Sequence, residues 1–394
     1  MGRDLDEDSI FRANPDYKLV SIDRLSAHDQ SQLQEADCSE DLYGALVPQG
    51  GSAQCCRSVS CETALLFMAL TEAGPLPRYA LRRLGHDLKP TIKRLLLDGV
   101  LQISLNDEFT CGPHVAELFG SQYSRSDRGS NFDLAVSALR YGQELTCLPE
   151  AELGQRLYFY GRKPVSPQLQ GRLANTAAVA RFLGIVEDGI LVRSLHRHWT
   201  HVPISQGVWE HWWQWLSTSE PPRGTAKRAS YKLYVSPVVD DTPEALETII
   251  GALPHSQGIS GFKVGVGLWG ISRPDKILVY FAELDDLYTF ADLLRTRLSG
   301  CTAHGVPFSA AASEDGLLSW GADPPRGATE AERTTSWRRW VTWRLAEYLI
   351  SARTAALNEM EPWQFALERL RLTGIDTDTW IPADGMWPAA LEMA

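Results

Sequence analysis

Three short segments between residues 231 and 281 each carry a basic residue that a strand could do without. They read Tyr231-Lys232-Leu233-Tyr234, Phe262-Lys263-Val264 and Ser272-Arg273-Pro274-Asp275-Lys276, the last leading into Ile277 to Phe281. A strand core wants alternating or continuous apolar residues. Cations framed by aromatic and β-branched neighbours on adjacent strands therefore point into one shared site, where an anion such as phosphate would sit. The constellation widens to His304, Arg338, Arg339 and Arg344. Arg344 follows Trp337 by seven residues, Trp340 by four and Val341 by three, so it shares a helical face with apolar residues. An arginine in such a place is paired or bound to an anion.

Several cations, one histidine and few carboxylates suit β-elimination of phosphate from phosphoserine or phosphothreonine. The Cα proton is weakly acidic, so its removal needs an unprotonated base, such as a lysine whose pKa is lowered by neighbouring cations. Arginines hold the phosphate bidentately and stabilise charge as it leaves. A histidine or a second lysine can protonate the departing oxygen. Lys232 and Lys263 sit in equivalent contexts, so either can be the base. The chemistry requires neither a metal nor an organic cofactor, and none is expected.

Two other motifs weigh less. Gly265-Val266-Gly267-Leu268-Trp269-Gly270 matches the glycine fingerprint of nucleotide loops, which needs a helix after the last glycine to hold a pyrophosphate. Here Pro274 and a strand follow, so the segment reads as a glycine-rich connection between strands. His196-Arg197-His198-Trp199-Thr200-His201 places two histidines on one face of an expected strand. Nothing fixes Asp188 or His211 beside them, and Cys55, Cys56, Cys61 and Cys111 match no zinc spacing, so no metal site is expected. Seven cysteines at irregular spacing also argue against a disulfide framework.

A net charge of −11 argues against general nucleic-acid binding. No run of 18 apolar residues offers a membrane span, and the acidic start lacks an apolar signal region. The expected location is cytoplasmic. Tryptophans cluster at 209, 212, 213 and 215 and again at 337, 340 and 343. They read as core packing or as an apolar groove for a peptide.

Residues 1–60 read as an acidic, partly disordered region. Residues 61–125 read as a winged-helix-like module: helices over 62–73, 77–84 and 87–97, the last capped by Asp87, then a hairpin turning at Asn106-Asp107. Arg78, Arg82, Arg83, Lys89, Lys93 and Arg94 make it locally basic, which leaves DNA binding, peptide or partner docking, and scaffolding open. Residues 126–394 read as an α+β domain, with a mixed or antiparallel sheet and flanking helices over 242–252, 283–298 and 334–356.

A family resemblance rests on motifs in order over roughly residues 150–350. Arg156-Leu157-Tyr158-Phe159-Tyr160-Gly161-Arg162-Lys163-Pro164 and Leu173-Ala174-Asn175 come first, then the three lysine-bearing segments. His304-Gly305-Val306-Pro307-Phe308, Asp315-Gly316, Asp323-Pro324 and Ser336-Trp337 follow. This series resembles HopA-type effector domains. Such domains occur among type III effectors and in biosynthetic clusters for ribosomally made peptides, notably class V lanthipeptides and thioamitides. The resemblance implies a lyase that acts on a precursor peptide after a separate phosphotransferase-like kinase has phosphorylated it. The product would be dehydroalanine or dehydrobutyrine. It implies Lys232 or Lys263 as base and His304 as general acid, with Arg273, Lys276, Arg338 and Arg344 on the phosphate. The module at 61–125 would dock the leader peptide or the kinase. The alternative is a non-catalytic protein that binds the phosphopeptide or scaffolds the kinase. Nucleic acid and membrane are not expected partners.

Overall fold

The computed structural model describes residues 9–27, 30, 41–49, 57–84, 88–112, 114–115, 130–163, 165–202, 212–218, 231–324, 335–354 and 360–382. Cys55, Cys56, Asp87, Trp209 and His211 lie outside them. The chain is α+β and divides into two units.

The first unit contains the expected helices and hairpin, and four strands within the region read as partly disordered. β1 (Phe11–Ala13), β2 (Tyr17–Ser21), β3 (Leu42–Pro48) and β4 (Arg57–Ser60) precede α1 (Cys61–Ala69), α2 (Arg78–Leu84) and α3 (Leu88–Leu97). β5 (Leu101–Leu105) and β6 (Glu108–Thr110) turn at Asn106 and Asp107, both at positive φ, the geometry of a two-residue hairpin loop. β2, β3 and β4 form an antiparallel sheet. β1 pairs with β5 and adds a third strand to the wing. The partner of β1 lies some ninety residues away in sequence, so nothing near it announces the strand.

The second unit holds the lysine-bearing strands. It begins with α4 (Ser130–Glu144), α5 (Glu150–Tyr158), α6 (Pro167–Arg172), α7 (Thr176–Phe182) and α8 (Ile190–Leu195). Ser166 and Asn175 cap α6 and α7 by accepting from Leu169 N–H and Ala178 N–H. α8 is closed by His196, whose N–H donates to the Val192 carbonyl. The expected histidine strand is therefore corrected: His196 and His198 lie in the turn, and only His201 is on a strand.

β7 (Trp199–Val202), β8 (Trp212–Ser217), β9 (Tyr231–Val235), β10 (Ile259–Gly265), β11 (Ile277–Phe281), β12 (Ala310–Ala311) and β13 (Leu318–Ala322) form one antiparallel sheet. Its order is β12-β13-β9-β11-β10-β8-β7. β11 reads Ile-Leu-Val-Tyr-Phe because a central strand buries both faces. α9 (Thr242–Ala252) and α11 (Leu284–Arg297) flank it, with the one-turn α10 (Leu268–Ile271) inside the glycine-rich connection. A Cβ on Gly265 would stand 2.4 Å from the Gly270 carbonyl carbon, so this connection closes backbone against backbone. α12 (Trp337–Thr354) gives its first residues to this unit and the rest to the first, together with α13 (Pro362–Arg371). The short pair β14 (Ile375–Asp376) and β15 (Ile381–Pro382) ends the described chain.

Candidate active site

Sheet register decides which side chains share a face. Lys263 on β10 stands opposite Leu278 on β11 and Gln214 on β8. Lys232 on β9 stands opposite Tyr280 on β11 and Gly321 on β13. Leu278 and Tyr280 are two apart on one strand and point the same way. Lys232 and Lys263 therefore face the same side, together with Trp212, Tyr234, Leu278 and Tyr280. Neither lysine is on an edge strand.

The two lysines differ in their partners. Lys232 Nζ forms an ion pair with Asp323 Oδ1. Lys263 Nζ has no hydrogen-bond acceptor and no ion pair among the described residues. It stands 4.3 Å from the Trp212 ring centroid and 5.9 Å from that of Tyr280. Burial pushes its pKa down to about 8, helped by the charges of Lys232 and Arg273 and opposed by Asp275. A lysine at that value supplies an appreciable fraction of free amine near neutral pH.

Arg273 and Asp275 form the anionic and cationic hub. Arg273 Nε donates to Asp275 Oδ1 at 2.8 Å, and Nη2 donates to Asp275 Oδ2 at 2.9 Å and to the Tyr158 hydroxyl at 2.8 Å. Its guanidinium faces the rings of Tyr158, Phe159 and Trp212 at 5.1 to 5.5 Å. Nη1 has no acceptor among the described residues. Asp275 is buried, and the guanidinium groups of Arg273 and Arg338 overcome that burial and hold its carboxyl far below the usual range.

The structure gives the other expected residues different places. Arg338 is 1% exposed, and its guanidinium is directed at protein groups. Nη1 stands 2.9 Å from Asp275 Oδ2, Nε donates to the Pro307 carbonyl at 3.1 Å, and Nη2 donates to the Tyr158 carbonyl at 2.9 Å. It fixes the hub rather than facing a ligand. Lys276 points inward and donates to the Pro237 carbonyl at 2.5 Å. Burial brings its pKa to about 7. His304 has both ring nitrogens engaged, Nδ1 by Lys276 at 2.9 Å and Nε2 by the Gly161 carbonyl at 2.5 Å. Arg344 belongs to the first unit, where its charge and that of Arg369 act against the burial that pushes Tyr348 up to about 12. Only Lys232, Lys263 and Arg273 of the expected set come together over the sheet face that carries Trp212 and Tyr280.

Sequence reasoning passed over Arg162. Its guanidinium stacks on Phe159 at 4.5 Å and on the exposed Trp269 at 5.2 Å. No acceptor meets it among the described residues, and its buried Nε is unsatisfied. Burial and then the charge of Arg273 lower its pKa. Two guanidinium groups that repel each other, each with a free donor, make a receptor for a dianion. The signal was present in Gly161-Arg162-Lys163, but a basic pair after a helix reads as solvated surface. Among the described residues, no group of three His, Cys, Asp or Glu could hold a metal, and no helix is long and apolar enough to cross a membrane.

No family model matches the chain, and no curated protein matches it. Among solved structures it is similar to the effector protein from Pseudomonas syringae pv. syringae strain 61. That likeness has 10% identity and a TM-score of 0.41 over 64% of this chain and 97% of that one. It is also similar to the effector protein from Pseudomonas syringae pv. tomato strain DC3000, at 12% identity and a TM-score of 0.37 over 65% and 98%. A third likeness is to the type III effector/phosphothreonine lyase OspF from Shigella flexneri, at 14% identity and a TM-score of 0.27 over 48% and 88%.

Proposed function

We propose that this chain is a cofactor-independent lyase that eliminates phosphate from phosphoserine and phosphothreonine in a precursor peptide. The products are dehydroalanine and dehydrobutyrine, and a separate kinase supplies the phosphate. The observation that carries this reading is Lys263: an amine with no acceptor, a pKa brought down to about 8, and cations on the same sheet face.

The free Lys263 amine takes the Cα proton. The pair of electrons from that C–H bond becomes the Cα=Cβ double bond. The Cβ–O bond breaks, and its electrons leave with the phosphate. Arg273 and Arg162 receive the growing charge through their free N–H groups. Lys232, whose partner is Asp323 and whose ammonium faces the same side, supplies the proton to the departing oxygen. His304 is not free to do so. Tyr280 and Trp212 pack beside the amine, and its burial disfavours the ammonium and keeps a share of it as free amine.

The precursor-peptide assignment is supported by the ordered motifs that resemble HopA-type domains. OspF is described as a phosphothreonine lyase, and the proposal gives this chain the same class of bond cleavage. The test is incubation with a phosphorylated Ser/Thr precursor peptide, followed by mass spectrometry for loss of phosphoric acid. Tight binding without that loss would instead make the chain a phosphopeptide-binding partner of the kinase.

A further inference from the structure

Lys276 and His304 perform no step in the elimination, yet they are ionisable groups built deep into the site. Lys276 is 0% exposed. Its Nζ donates to the Pro237 carbonyl at 2.5 Å and lies 2.9 Å from His304 Nδ1. His304 Nε2 lies 2.5 Å from the Gly161 carbonyl. A carbonyl only accepts, so Nε2 carries the ring proton and Nδ1 offers the lone pair to Lys276. Burial, and then the Lys276 charge, bring the His304 pKa down to about 3, so the ring is neutral. The chain of bonds thus runs Pro237, Lys276, His304, Gly161.

It ends on the peptide bond that joins Gly161 to Arg162. Gly161 sits at φ +83°, where glycine is favoured, and turns the chain out of α5. The neighbouring Lys163 N–H donates to the Ser272 carbonyl at 3.1 Å. Arg162 needs this restraint. Arg273 repels it, no carboxylate among the described residues pairs with it directly, and the more distant attraction of Asp275 and the rings of Phe159 and Trp269 oppose its escape to water.

We infer that Lys276 and His304 are positioning residues that hold the Gly161–Arg162 peptide, so that the Arg162 guanidinium stands beside Arg273 as the second prong of the phosphate subsite. This rests on the phosphate-binding half of the function proposed above and not on its elimination step. It replaces a general-acid role for His304 with one exerted through Arg162.

The experiment measures orthophosphate binding to the full chain by isothermal titration calorimetry. The variants are His304→Ala, His304→Gln, Arg162→Ala and the double His304→Ala/Arg162→Ala. A glutamine can accept from Lys276 through Oε1 and donate to the Gly161 carbonyl through Nε2. His304→Ala and Arg162→Ala are each expected to weaken binding about tenfold, with the double variant no weaker than Arg162→Ala alone. His304→Gln should stay within about threefold of the parent and keep its kcat for phosphopeptide, which a lost general acid would lower by about a hundredfold or more. The inference is overturned if the double variant loses the product of the two effects. It is equally overturned if His304→Gln binds as poorly as His304→Ala, or if the parent chain does not bind orthophosphate. A parent that binds phosphate but eliminates nothing overturns the lyase proposal and leaves this one standing.

Discussion

Replacing Lys232 with methionine should move the ascending limb of the elimination pH profile to higher pH. With Lys263 as the proposed free amine, kcat/KM should rise with pH and level off above its pKa of about 8. At pH 7 a lysine with a pKa of about 8 is free in roughly one molecule in ten, against about one in three thousand for an ordinary lysine. The Nζ atoms of Lys232 and Lys263 lie 6.0 and 5.9 Å from the same Tyr280 ring centroid, so they are at most about 12 Å apart. Two unit charges at ~12 Å in an effective dielectric of about 20 interact by about 1.4 kcal/mol, or about one pKa unit. Removing Lys232 takes away a positive charge and leaves Asp323 without its partner. Both changes favour the charged form of Lys263, so the sign is the same for each. The limb should move from about 8 to about 9 or above, while the overall rate falls because the leaving oxygen loses its proton donor. A second limb near pH ~6 belongs to the substrate phosphate and should stay where it is. The assay is a pH series of kcat/KM on one phosphopeptide. A limb that stays at about 8, or that moves down, would refute Lys263 as the titrating base.

Lys263→Ala should lose about 10² to 10⁴ in elimination rate with phosphopeptide affinity changed only a few-fold, read by phosphate release beside calorimetry. If Lys263→Ala and Lys232→Ala both leave elimination intact, the base assignment is wrong. Asp275→Ala leaves the buried Arg338 without its carboxylate and should cost about 3–5 kcal/mol in denaturant unfolding. The parent chain should also lose stability in acid. The folded Asp275 carboxyl lies below its unfolded value, so its contribution is present above pH ~4 and is lost as pH falls toward the folded value. Gly265→Ala forces a methyl group against the Gly270 backbone, and a destabilisation of about 1–3 kcal/mol should appear in thermal melts.

Local signals were legible where one segment contains the whole instruction. Thr242–Ala252 is helical as expected, with Pro243 in its first turn, and Asn106-Asp107 makes its turn from two residues alone. The lysines in apolar strands also read correctly as cations sharing a face. What the sequence could not show was the partner of each charge. Arg338 looks like any cation on a helix, and only the folded chain brings Asp275 and the Pro307 carbonyl to it. Lys276 resembles Lys263 as a basic residue at the start or middle of an apolar strand, yet one ends on a carbonyl and the other on an aromatic ring. Arg162 was overlooked for the converse reason, since an unpaired charge is recognised only when its surroundings are known. Among the first sixty residues, β1 was hidden because its pairing partner lies far along the chain.

The ion pair of Lys232 with Asp323 has a consequence for selectivity. An anion that reaches for Lys232 finds no vacancy, because a carboxylate of the same chain already holds the place. Tethering makes that carboxylate an internal competitor at high effective concentration. Phosphate that engages Lys232 therefore exchanges one partner for another and gains little from that contact alone. A free phosphate, which brings nothing else, would therefore rest on Arg162 and Arg273 and leave the Lys232–Asp323 pair closed. A phosphorylated peptide also brings its backbone and side chains, and can meet the cost of displacing Asp323. The pair would thus work as a threshold, set in the resting protein, that reserves the Lys232 contact for phosphate carried on a chain.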